Sequence, residues 1–252
     1  MTQPDSGLSN SSSFASAIIL AAGSGSRMQS TVADKMLALL NGLPVICYSI
    51  RAFVASGCVK QVTVVYRDED QKTALKEALG PMDLNELPLA WVPGGKRRQD
   101  SVYQALLHQP EKCSHVFIHD GARPLVPANL IRTLHTAVLK DQSATLAHPV
   151  TDTIKRTSIR EQLRETQLED LDRSRLWAIE TPQAFDLELI LKAYELVNRK
   201  GLEITDDTAA ISALGLGTTL VPNDTENIKI TRPEDIDYAE WKLSKQRPGR
   251  HV

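Results

Sequence analysis

The fold is decided by Ala17-Ile18-Ile19-Leu20-Ala21-Ala22-Gly23-Ser24-Gly25-Ser26-Arg27-Met28, with Lys35 a few residues on. The apolar residues of Ala17–Ala21 run without alternation, which predicts a strand buried on both faces. The residues that follow carry almost no side chain, so their backbone can approach a ligand closely and turn N–H groups toward an anion. Arg27 and Lys35 add two cations beyond them. The stretch therefore predicts a strand and a loop suited to a triphosphate.

Composition narrows the class of protein. The chain has 252 residues, of which 42% are hydrophobic, and a formal net charge of −2. This is enough for a full core, and the charge gives no global attraction to a nucleic acid polymer or a membrane. No apolar run reaches the roughly 18–20 residues of a membrane span. Three scattered cysteines, Cys47, Cys58 and Cys113, indicate buried thiols in a reducing cytoplasm rather than a disulfide framework or zinc site.

The chain organisation predicts one domain between two tails. Residues 1–16 are rich in Ser, Asn and Gln and lack the basic start of a secretory signal, so we expect a disordered tail. Residues 17–243 form the expected domain, with an insertion at about 150–176. Residues 244–252 are expected to be a frayed tail.

Strands alternate with helices along the expected domain. We predict strands at Ala17–Ala21, Val59–Tyr66, Leu87–Val92, His115–His119, Ala144–Val150 and Thr218–Pro222. We predict helices at Val45–Ser56, Asp68–Leu79, Asn129–Leu139, Leu187–Asn198 and Ala209–Leu214. Two more helices are predicted, one that follows Ser101 and runs through Leu107, and a final one that opens at the capping-box pattern Thr231-Arg232-Pro233-Glu234. This alternation predicts an α/β fold, a Rossmann-like, mostly parallel twisted sheet with helices on both faces. The loops after Ala21, Val92 and His119 are expected to meet in one crevice.

The segment from Thr151 to Trp177 breaks the alternation. It is charged and poor in large apolar residues, which favours two short strands that form an arm outside the core. An arm without a core of its own can pack on a neighbouring subunit, which would indicate a dimer. A solvated surface hairpin explains the same pattern, and both interpretations stay open at this point.

The glycine-rich loop departs from two common phosphate loops. Gly23-Ser24-Gly25 begins like the dinucleotide pattern G-x-G-x-x-G, but Met28 stands at the third glycine. The Walker pattern fails because Gly-Lys-Ser/Thr is missing. A tight turn without any ligand would leave the cations Arg27 and Lys35 unexplained.

Leu20-Ala21-Ala22-Gly23-x-Gly25-x-Arg27-Met28 with its following lysine instead resembles the signature of sugar-nucleotide pyrophosphorylases and related nucleotidyltransferases. Further stretches resemble one family among them, the 2-C-methyl-D-erythritol 4-phosphate cytidylyltransferases. They are Pro93-Gly94-Gly95-x-x-Arg98-x-Asp100-Ser101-Val102, His119-Asp120-Gly121-Ala122-Arg123-Pro124, Pro149-Val150-x-Asp152-Thr153-x-Lys155, Asp172-Arg173-x-x-Leu176-Trp177, Thr181-Pro182-Gln183 and Asn227-Ile228-Lys229-Ile230-Thr231-Arg232-Pro233-Glu234-Asp235. The match runs in unbroken order over about residues 17–241.

The resemblance implies a reaction of the non-mevalonate isoprenoid pathway. CTP and 2-C-methyl-D-erythritol 4-phosphate would give 4-diphosphocytidyl-2-C-methyl-D-erythritol and pyrophosphate. It also implies a nucleotidyltransferase fold, a homodimer whose arms are exchanged between active sites, and Mg²⁺ that bridges phosphate oxygens, with no protein ligand for the metal identified.

The same resemblance assigns residues to the CTP half of the site. Backbone groups of Ala21, Ala22, Gly23 and Gly25 would hold the triphosphate. Arg27 and Lys35 would stabilise charge on the α-phosphate and the leaving pyrophosphate. Gly95 and Ser101 would contact the cytosine ring. In the adjacent run, Lys96 and Arg97 are expected to form an exposed charged turn rather than to bind the ligand.

It assigns a second group to the polyol phosphate. Asp120 would accept hydrogen bonds from hydroxyl groups of the ligands, and Arg123 would help to bind the phosphate. Thr153 and Arg173 would reach the phosphate of the partner subunit's site, while Thr181 and Lys229 would complete the pocket. An ion pair of Asp120 with Arg123 that closes the loop, or a metal-ligand role for Asp120 as in broader relatives, stays open.

One position departs from the family pattern. Asp34 stands before Lys35, where the family usually has proline, and its carboxylate would partly neutralise the lysine. His115 and His119 are expected to pack or cap rather than bind metal, and Asp206 and Asp207 to cap a helix.

Two alternative functions remain from the sequence. A ribitol-5-phosphate cytidylyltransferase would share the scaffold and differ in its polyol. A non-catalytic nucleotide-binding regulatory subunit would bind CTP without turnover, although the four cations Arg27, Lys35, Arg173 and Lys229 favour an enzyme.

Overall fold

A seven-stranded sheet forms the centre of this computed structural model, which describes residues 13–23, 34–157 and 164–246. The described strands are β1 (Phe14–Leu20), β2 (Leu39–Leu40), β3 (Leu43–Pro44), β4 (Val59–Tyr66), β5 (Leu89–Pro93), β6 (Cys113–Asp120), β7 (Ser143–Pro149), β8 (Lys155–Thr157), β9 (Leu168–Asp170), β10 (Trp177–Asp186) and β11 (Thr219–Pro222). The described helices are α1 (Val45–Ser56), α2 (Glu69–Leu79), α3 (Arg98–Leu107), α4 (Ala128–Asp141), α5 (Leu187–Lys200), α6 (Asp207–Ala213) and α7 (Glu234–Gln246).

The sheet is mostly parallel, as predicted. Its strand order is β11-β7-β10-β6-β1-β4-β5. Within these described strands, β10 alone runs antiparallel to its neighbours β6 and β7. The α/β class and the helices on both faces of a mostly parallel sheet are therefore confirmed.

Strand β1 lies in the middle of the sheet and is buried on both faces. Ile18 and Ile19 are both fully buried, yet they belong to different core clusters. Ile19 packs in the cluster that α1, α2 and α4 cover, and Ile18 in the cluster that α3, α5 and α6 cover. Because successive side chains of a strand point to opposite faces, the unbroken apolar run of β1 supplies both layers.

The register brings the carboxyl ends of four strands level. Leu20 at the end of β1 pairs with Asp120 of β6 on one side and with Val65 of β4 on the other. On β4, Tyr66 pairs with Pro93 at the end of β5. The loops that leave β1, β4, β5 and β6 therefore start side by side at one edge, which is where open α/β sheets bind ligands.

Strand β1 begins earlier than the sequence predicts. Phe14 N donates to Lys112 O over 3.1 Å, and the Ser16 hydroxyl donates to Gln61 O over 3.3 Å. Residues 14–16 are thus part of the sheet and not of a tail, because pairing with β4 and β6 outweighs their low apolar content. Residues 1–12 of the expected tail lie outside the described residues.

Strand β10 was not predicted, because proline inside a run argues against a central strand. The pairing of β10 with β7 is interrupted between Ile179 and Gln183, and Pro182 lies in that interruption. The antiparallel direction brings the first half of β10 to the same edge as the carboxyl end of β6.

Helix α7 differs from the prediction in two details. It continues to Gln246, so the frayed tail does not begin at 244, and residues 247–252 lie outside the described residues. Its cap uses Asp235 rather than Glu234, since Thr231 N and Thr231 Oγ1 donate to Asp235 Oδ2 over 2.7 and 2.9 Å.

The arm consists of β8 and β9, which pair with each other in a separate two-stranded sheet. All residues of both strands are exposed. Ion pairs connect Arg156 with Glu169 and Lys155 with Asp170 across the two strands. The two short strands are as predicted, and the use of the arm in dimerisation stays a prediction.

Candidate active site

A crevice of about 480 Å³ opens at the edge where the carboxyl ends of β1, β4, β5 and β6 meet. Its lining is Leu20, Ala22, Gly23, Lys35, Met36, Arg67, Gly95, Lys96, Arg97, Arg98, Ser101, Asp120, Ala122 and Lys229. The charged members of this lining are six cations and one acid, Asp120. The chain as a whole has a net charge of −2, so the positive surface is local and suits a ligand with several negative charges.

The loop after β1 enters the crevice at Ala22 and Gly23. Ala21 is buried, and its N–H donates to Val65 O over 2.9 Å, so it extends the ladder to β4. This contradicts the expectation that Ala21 offers its N–H to the triphosphate. Lys35 Nζ lies 3.8 Å from the position that a Cβ on Gly23 would take, so the ammonium lies beside the described start of this loop.

Two residues predicted for this loop, Gly25 and Arg27, lie outside the described residues, and so does the rest of 24–33.

The loop between β5 and α3 forms the opposite wall. Gly95 N donates to Ser101 Oγ over 2.9 Å, and that hydroxyl donates to Arg97 O over 3.2 Å. A Cβ on Gly95 would lie 2.5 Å from Asp100 Cβ, so glycine is required for this close turn. The N–H of Gly95 is already bonded, and the backbone group that it can offer a base is therefore its carbonyl. Lys96 and Arg97 are both exposed, as expected for a charged turn, and they also line the crevice.

Asp120 lies among three cations at the end of β6. Lys229 Nζ is 2.6 Å from Asp120 Oδ2, Arg98 Nε is 3.5 Å from Oδ1, and Arg123 Nε is 4.0 Å from Oδ2. Burial favours the neutral acid, but the charges of Arg98 and Lys229 outweigh it, so the pKa of Asp120 lies below its usual range. The carboxylate is thus ionised. The predicted Asp120–Arg123 contact is present, but it is the longest of the three.

The neighbouring residue Ile230 holds Lys229 close to Asp120. Ile230 is fully buried and donates its N–H to Ala122 O over 2.8 Å. This bond fastens the Asn227–Ile230 segment to the loop after β6. The sequence could not place this segment, because its residues form no helix or strand.

Arg98 was not among the predicted site residues, although its motif was quoted. It forms two parallel hydrogen bonds with the fully buried Asp207, of 3.0 and 2.8 Å. Desolvation lowers the pKa of Arg98, but the charge of Asp207 outweighs it and the pKa lies above the usual value. The Tyr194 hydroxyl also donates to Asp207, over 2.6 Å. Asp207 therefore holds Arg98 at the crevice, while Asp206 caps α6 as predicted.

Thr181 and His119 lie beneath Asp120. Asp120 N donates to Thr181 Oγ1 over 3.0 Å, and Thr181 Oγ1 lies 3.1 Å from His119 Nδ1. His119 Nε2 lies 3.1 Å from Arg123 O, an acceptor, so this nitrogen carries the proton. Burial lowers the pKa of His119 to about 4, and the ring is neutral. Thr181 is buried and bonded to protein groups, so in this structure it supports Asp120, and direct contact with substrate stays a prediction.

Arg123 lines a second hollow together with Glu180 and Asn227. Its guanidinium donates from Nη1 to Asn227 O over 2.6 Å. Asn227 Nδ2 donates to Glu180 Oε2 over 3.0 Å and to Thr181 O over 2.8 Å. Burial lowers the pKa of Arg123, with Asp120 and Glu180 opposing that effect. These contacts hold Arg123 beside the crevice.

The two residues predicted on the arm segment lie apart from this crevice. Thr153 and Arg173 are exposed, and Arg173 Nη1 donates to Thr151 O over 2.7 Å. Within the part of the chain that the structure describes, neither lines the crevice of its own chain. Their predicted action on a partner's site is a statement about an assembly and stays a prediction.

A model of the 2-C-methyl-D-erythritol 4-phosphate cytidylyltransferase family matches residues 15–245. The chain belongs to that family. Curated members of the family from Pelotomaculum thermopropionicum and Caldanaerobacter subterraneus are 40% and 38% identical to this cytidylyltransferase-family chain. The alignments cover 93% and 91% of this chain and 95% and 99% of those relatives.

Solved structures of the family have the same fold. A 4-diphosphocytidyl-2C-methyl-D-erythritol synthase from Anaerococcus prevotii superposes with a TM-score of 0.79 at 26% identity, over 92% of this chain and 99% of that one. The 2-C-methyl-D-erythritol 4-phosphate cytidylyltransferase of Francisella tularensis gives a TM-score of 0.74 at 26% identity, over 92% and 100%. The likeness thus extends over most of the chain.

The described residues of this family member do not fit a metal held by protein ligands. Among residues 13–23, 34–157 and 164–246, no three His, Cys, Asp or Glu side chains cluster in a way that could hold a metal ion. Both oxygens of Asp120 face cations, which opposes the metal-ligand role left open for it. Over the same residues, no helix is long and apolar enough to cross a membrane.

Proposed function

We propose that this crevice joins CTP to 2-C-methyl-D-erythritol 4-phosphate and releases pyrophosphate, in the non-mevalonate route to isoprenoids. The observation that carries the proposal is the convergence of three loops. The loop after β1, the loop before α3 and the loop after β6 face one cation-lined crevice in a chain of the cytidylyltransferase family.

The reaction requires positioning and charge stabilisation more than acid–base chemistry. An oxygen of the polyol phosphate attacks the α-phosphorus of CTP, and the bond from that phosphorus to the bridging oxygen of the β-phosphate breaks. Pyrophosphate carries away the electron pair. The attacking phosphate is already ionised at pH 7, so no general base is needed. Because both reactants are anions, cations that hold them together lower the barrier.

Lys35 is placed for the triphosphate half of this reaction. Its ammonium stands over Gly23, and it would offset charge on the α-phosphate and on the leaving pyrophosphate. Lys229 and Arg123, which both lie near Asp120 Oδ2, would receive the polyol phosphate, while Asp120 would accept hydrogen bonds from hydroxyl groups.

The loop before α3 would select the base. Since Gly95 N is bonded to Ser101 Oγ, the glycine would present its carbonyl, which accepts from the exocyclic amino group of cytosine. Uracil has an oxygen at that position, so two acceptors would face each other and the pair would be unsatisfied. Discrimination by an unpaired polar group is stronger than discrimination by size alone.

The arm supports the further proposal of a homodimer with exchanged arms. Leu168 and Ile154 are exposed apolar residues on a segment whose two strands pair only with each other. Packing on a second copy would cover them and carry Thr153 and Arg173 toward the partner's crevice. We propose Mg²⁺ as part of the substrate, bound to the phosphates of CTP, and the cytoplasm as the location.

The test is a direct assay. Incubation of the chain with CTP, Mg²⁺ and 2-C-methyl-D-erythritol 4-phosphate should release pyrophosphate and give a product with the mass of the cytidyl diphosphate ester. Replacing CTP with UTP should remove most of the rate. No pyrophosphate at high enzyme concentration would contradict the proposal, and CTP binding without turnover would favour a regulatory subunit.

A parallel measurement decides which polyol phosphate is the substrate. The ratio kcat/KM for 2-C-methyl-D-erythritol 4-phosphate should exceed that for ribitol 5-phosphate under the same CTP concentration. A higher value for ribitol 5-phosphate would assign the same crevice and the same chemistry to the other polyol.

A further inference from the structure

Lys35 lies at the centre of a turn that the side chain of Asp34 closes. Met36 N donates to Asp34 Oδ1 over 2.8 Å, which is the two-residue spacing of an Asx turn. Leu37 N and Ala38 N each donate to the carbonyl oxygen of Asp34 over 3.1 Å. Asp34 thus fixes the backbone of residues 36–38 by three hydrogen bonds, and the turn encloses Lys35.

The second carboxylate oxygen of Asp34 faces the sheet. Asp34 Oδ2 accepts from Gln71 Nε2 over 2.5 Å and from Arg67 Nη1 over 3.3 Å. Asp34 is only 8% exposed, and both partners come from the end of β4 and the start of α2. A buried carboxylate with three donors is held firmly, because losing any of them would leave a buried charge unsatisfied.

Gln71 extends this contact to the loop after β1. It is 3% exposed, and its Nε2 also donates to Ala21 O over 3.0 Å. Its Oε1 accepts from Arg67 N over 2.6 Å. Both hydrogens of the amide nitrogen are therefore engaged, one on the strand end that leads into the loop and one on the turn of Lys35.

The sequence raised another possibility, that Asp34 partly neutralises Lys35. The hydrogen bonds of the carboxylate are with Met36, Gln71 and Arg67, and the ammonium of Lys35 lies on the crevice side near Gly23. The carboxylate of Asp34 thus faces the sheet, and the ammonium of Lys35 faces the crevice.

We propose that Asp34 is a positioning residue, whose Asx turn holds Lys35 beside Gly23, at the start of the loop that receives the phosphates of CTP. The ligand in this statement rests on the proposed function. A displacement of about 1 Å at a phosphate-binding cation is enough to lower rates severalfold to a hundredfold.

The experiment compares three variants in CTP binding and in turnover. D34A removes both carboxylate oxygens. D34N keeps the oxygen that accepts from Met36 N, but its amide nitrogen takes the place of Oδ2 and cannot accept from Gln71 or Arg67. D83A is the matched control, because Asp83 Oδ1 closes an exposed Asx turn of the same spacing, with Asn85 N at 2.9 Å, away from the crevice.

We expect D34A to raise the dissociation constant for CTP, measured by calorimetry, and the KM for CTP by about tenfold. The KM for the polyol phosphate should stay unchanged. D34N should remain within about threefold of the wild-type chain for CTP, because the turn around Lys35 can still close. D83A should match the wild-type chain in every value.

Three outcomes would overturn the proposal. One is D34A with unchanged CTP binding and a lower melting temperature only, which is the result of a purely structural role. Another is D34N as weak as D34A, which would assign the effect to the bonds of Asp34 Oδ2 with Gln71 and Arg67 rather than to the turn. The third is equal changes in KM for both substrates.

The two proposals fail in different ways. Should D34A not fold, the threefold limit on D34N decides alone, since a larger loss contradicts the turn. A wild-type chain that binds CTP but does not react would overturn the proposed function, and the binding comparison would still stand. A wild-type chain that does not bind CTP would overturn both.

Discussion

The crevice and the arm both contain ion pairs, but the carboxylate of the crevice is largely buried and the paired side chains of the arm are exposed. In the crevice, the Asp120 side chain is 11% exposed, and Lys229, Arg98 and Arg123 surround it. On the arm, Arg156 and Glu169 form a pair whose side chains are 64% and 58% exposed. An exposed pair contributes at most about 1 kcal/mol, whereas a buried charge left without its partner costs several times more. The charges of the crevice are therefore fixed by the fold, and those of the arm are not.

The two regions also differ in what holds them. Strand register places the four loops of the crevice, so its geometry follows from a single chain. The arm is held at its base, where Val150 N donates to Leu176 O over 3.1 Å, and beyond it β8 and β9 pair only with each other. Residues of the crevice can therefore be tested one by one, and residues of the arm only in an assembly.

The largest expected effect is in the crevice. Replacing Lys35 with alanine should lower kcat by about 10²–10³, because one preorganised cation is lost where charge develops. Pyrophosphate release in a steady-state assay measures it. Lys60→Ala is the control, since Lys60 is an exposed lysine at the opposite end of β4. A fall of less than threefold for Lys35→Ala would remove Lys35 from the reaction.

The next prediction tests whether the arm segment of one copy contributes Arg173 to the crevice of another copy. Arg173→Ala should lower kcat by about 10² if its cation reaches a substrate phosphate. Mixing the Lys35→Ala and Arg173→Ala chains should then restore about a quarter of the wild-type rate, since half of the random dimers carry one intact site of two. No recovery, with mixed dimers shown to form, would place Arg173 in its own subunit's site or outside any site.

The sequence predicts the crevice better than it predicts how the crevice is supported. The apolar run of β1, the helix Val45–Ser56 and the strand Val59–Tyr66 are read from patterns of neighbouring residues, and the structure has the same bounds for the last two. Gly95, Asp120 and Lys229 are found from motifs, and the structure brings all three to one crevice.

Residues that act through partners far along the chain are not visible in such patterns. Arg98 is held by Asp207, 109 residues away, and Asp34 by Gln71, 37 residues away. Strand β10 was missed for a related reason, because the pairing with β6 and β7 that stabilises it is not local. Long-range hydrogen bonds between polar side chains carry no periodic signal, and only the fold reveals them.

The buried side of the crevice should respond to acid. Burial lowers the pKa of His119 to about 4, so the folded state favours the neutral ring. This contribution to stability is complete above pH 6.5 and is lost as the pH falls toward 4. Between pH 7 and pH 4.5 it should remove about 2–3 kcal/mol from the free energy of unfolding.

Urea unfolding at the two pH values measures this loss. His119→Gln should lose about 2–3 kcal/mol less than the wild-type chain between them, whatever its stability at pH 7. His108→Gln, a change at an exposed histidine, should keep the wild-type dependence. Equal losses in the wild-type chain and in His119→Gln would show that His119 does not resist protonation in the folded state.

The smallest expected effect concerns the close contact between two walls of the crevice. A Cβ on Gly94 would lie 2.6 Å from Ala22 Cβ and 3.1 Å from Ser101 Oγ. Gly94→Ala should therefore push the loop after β1 away from the base-selecting loop, lower the free energy of unfolding by about 1–3 kcal/mol and raise the KM for CTP by about fivefold to tenfold. Gly217→Ala is the matched control, since a Cβ there has no neighbour within 4 Å among the described residues. Wild-type kinetics in Gly94→Ala would mean that the two walls of the crevice can separate without consequence for CTP binding.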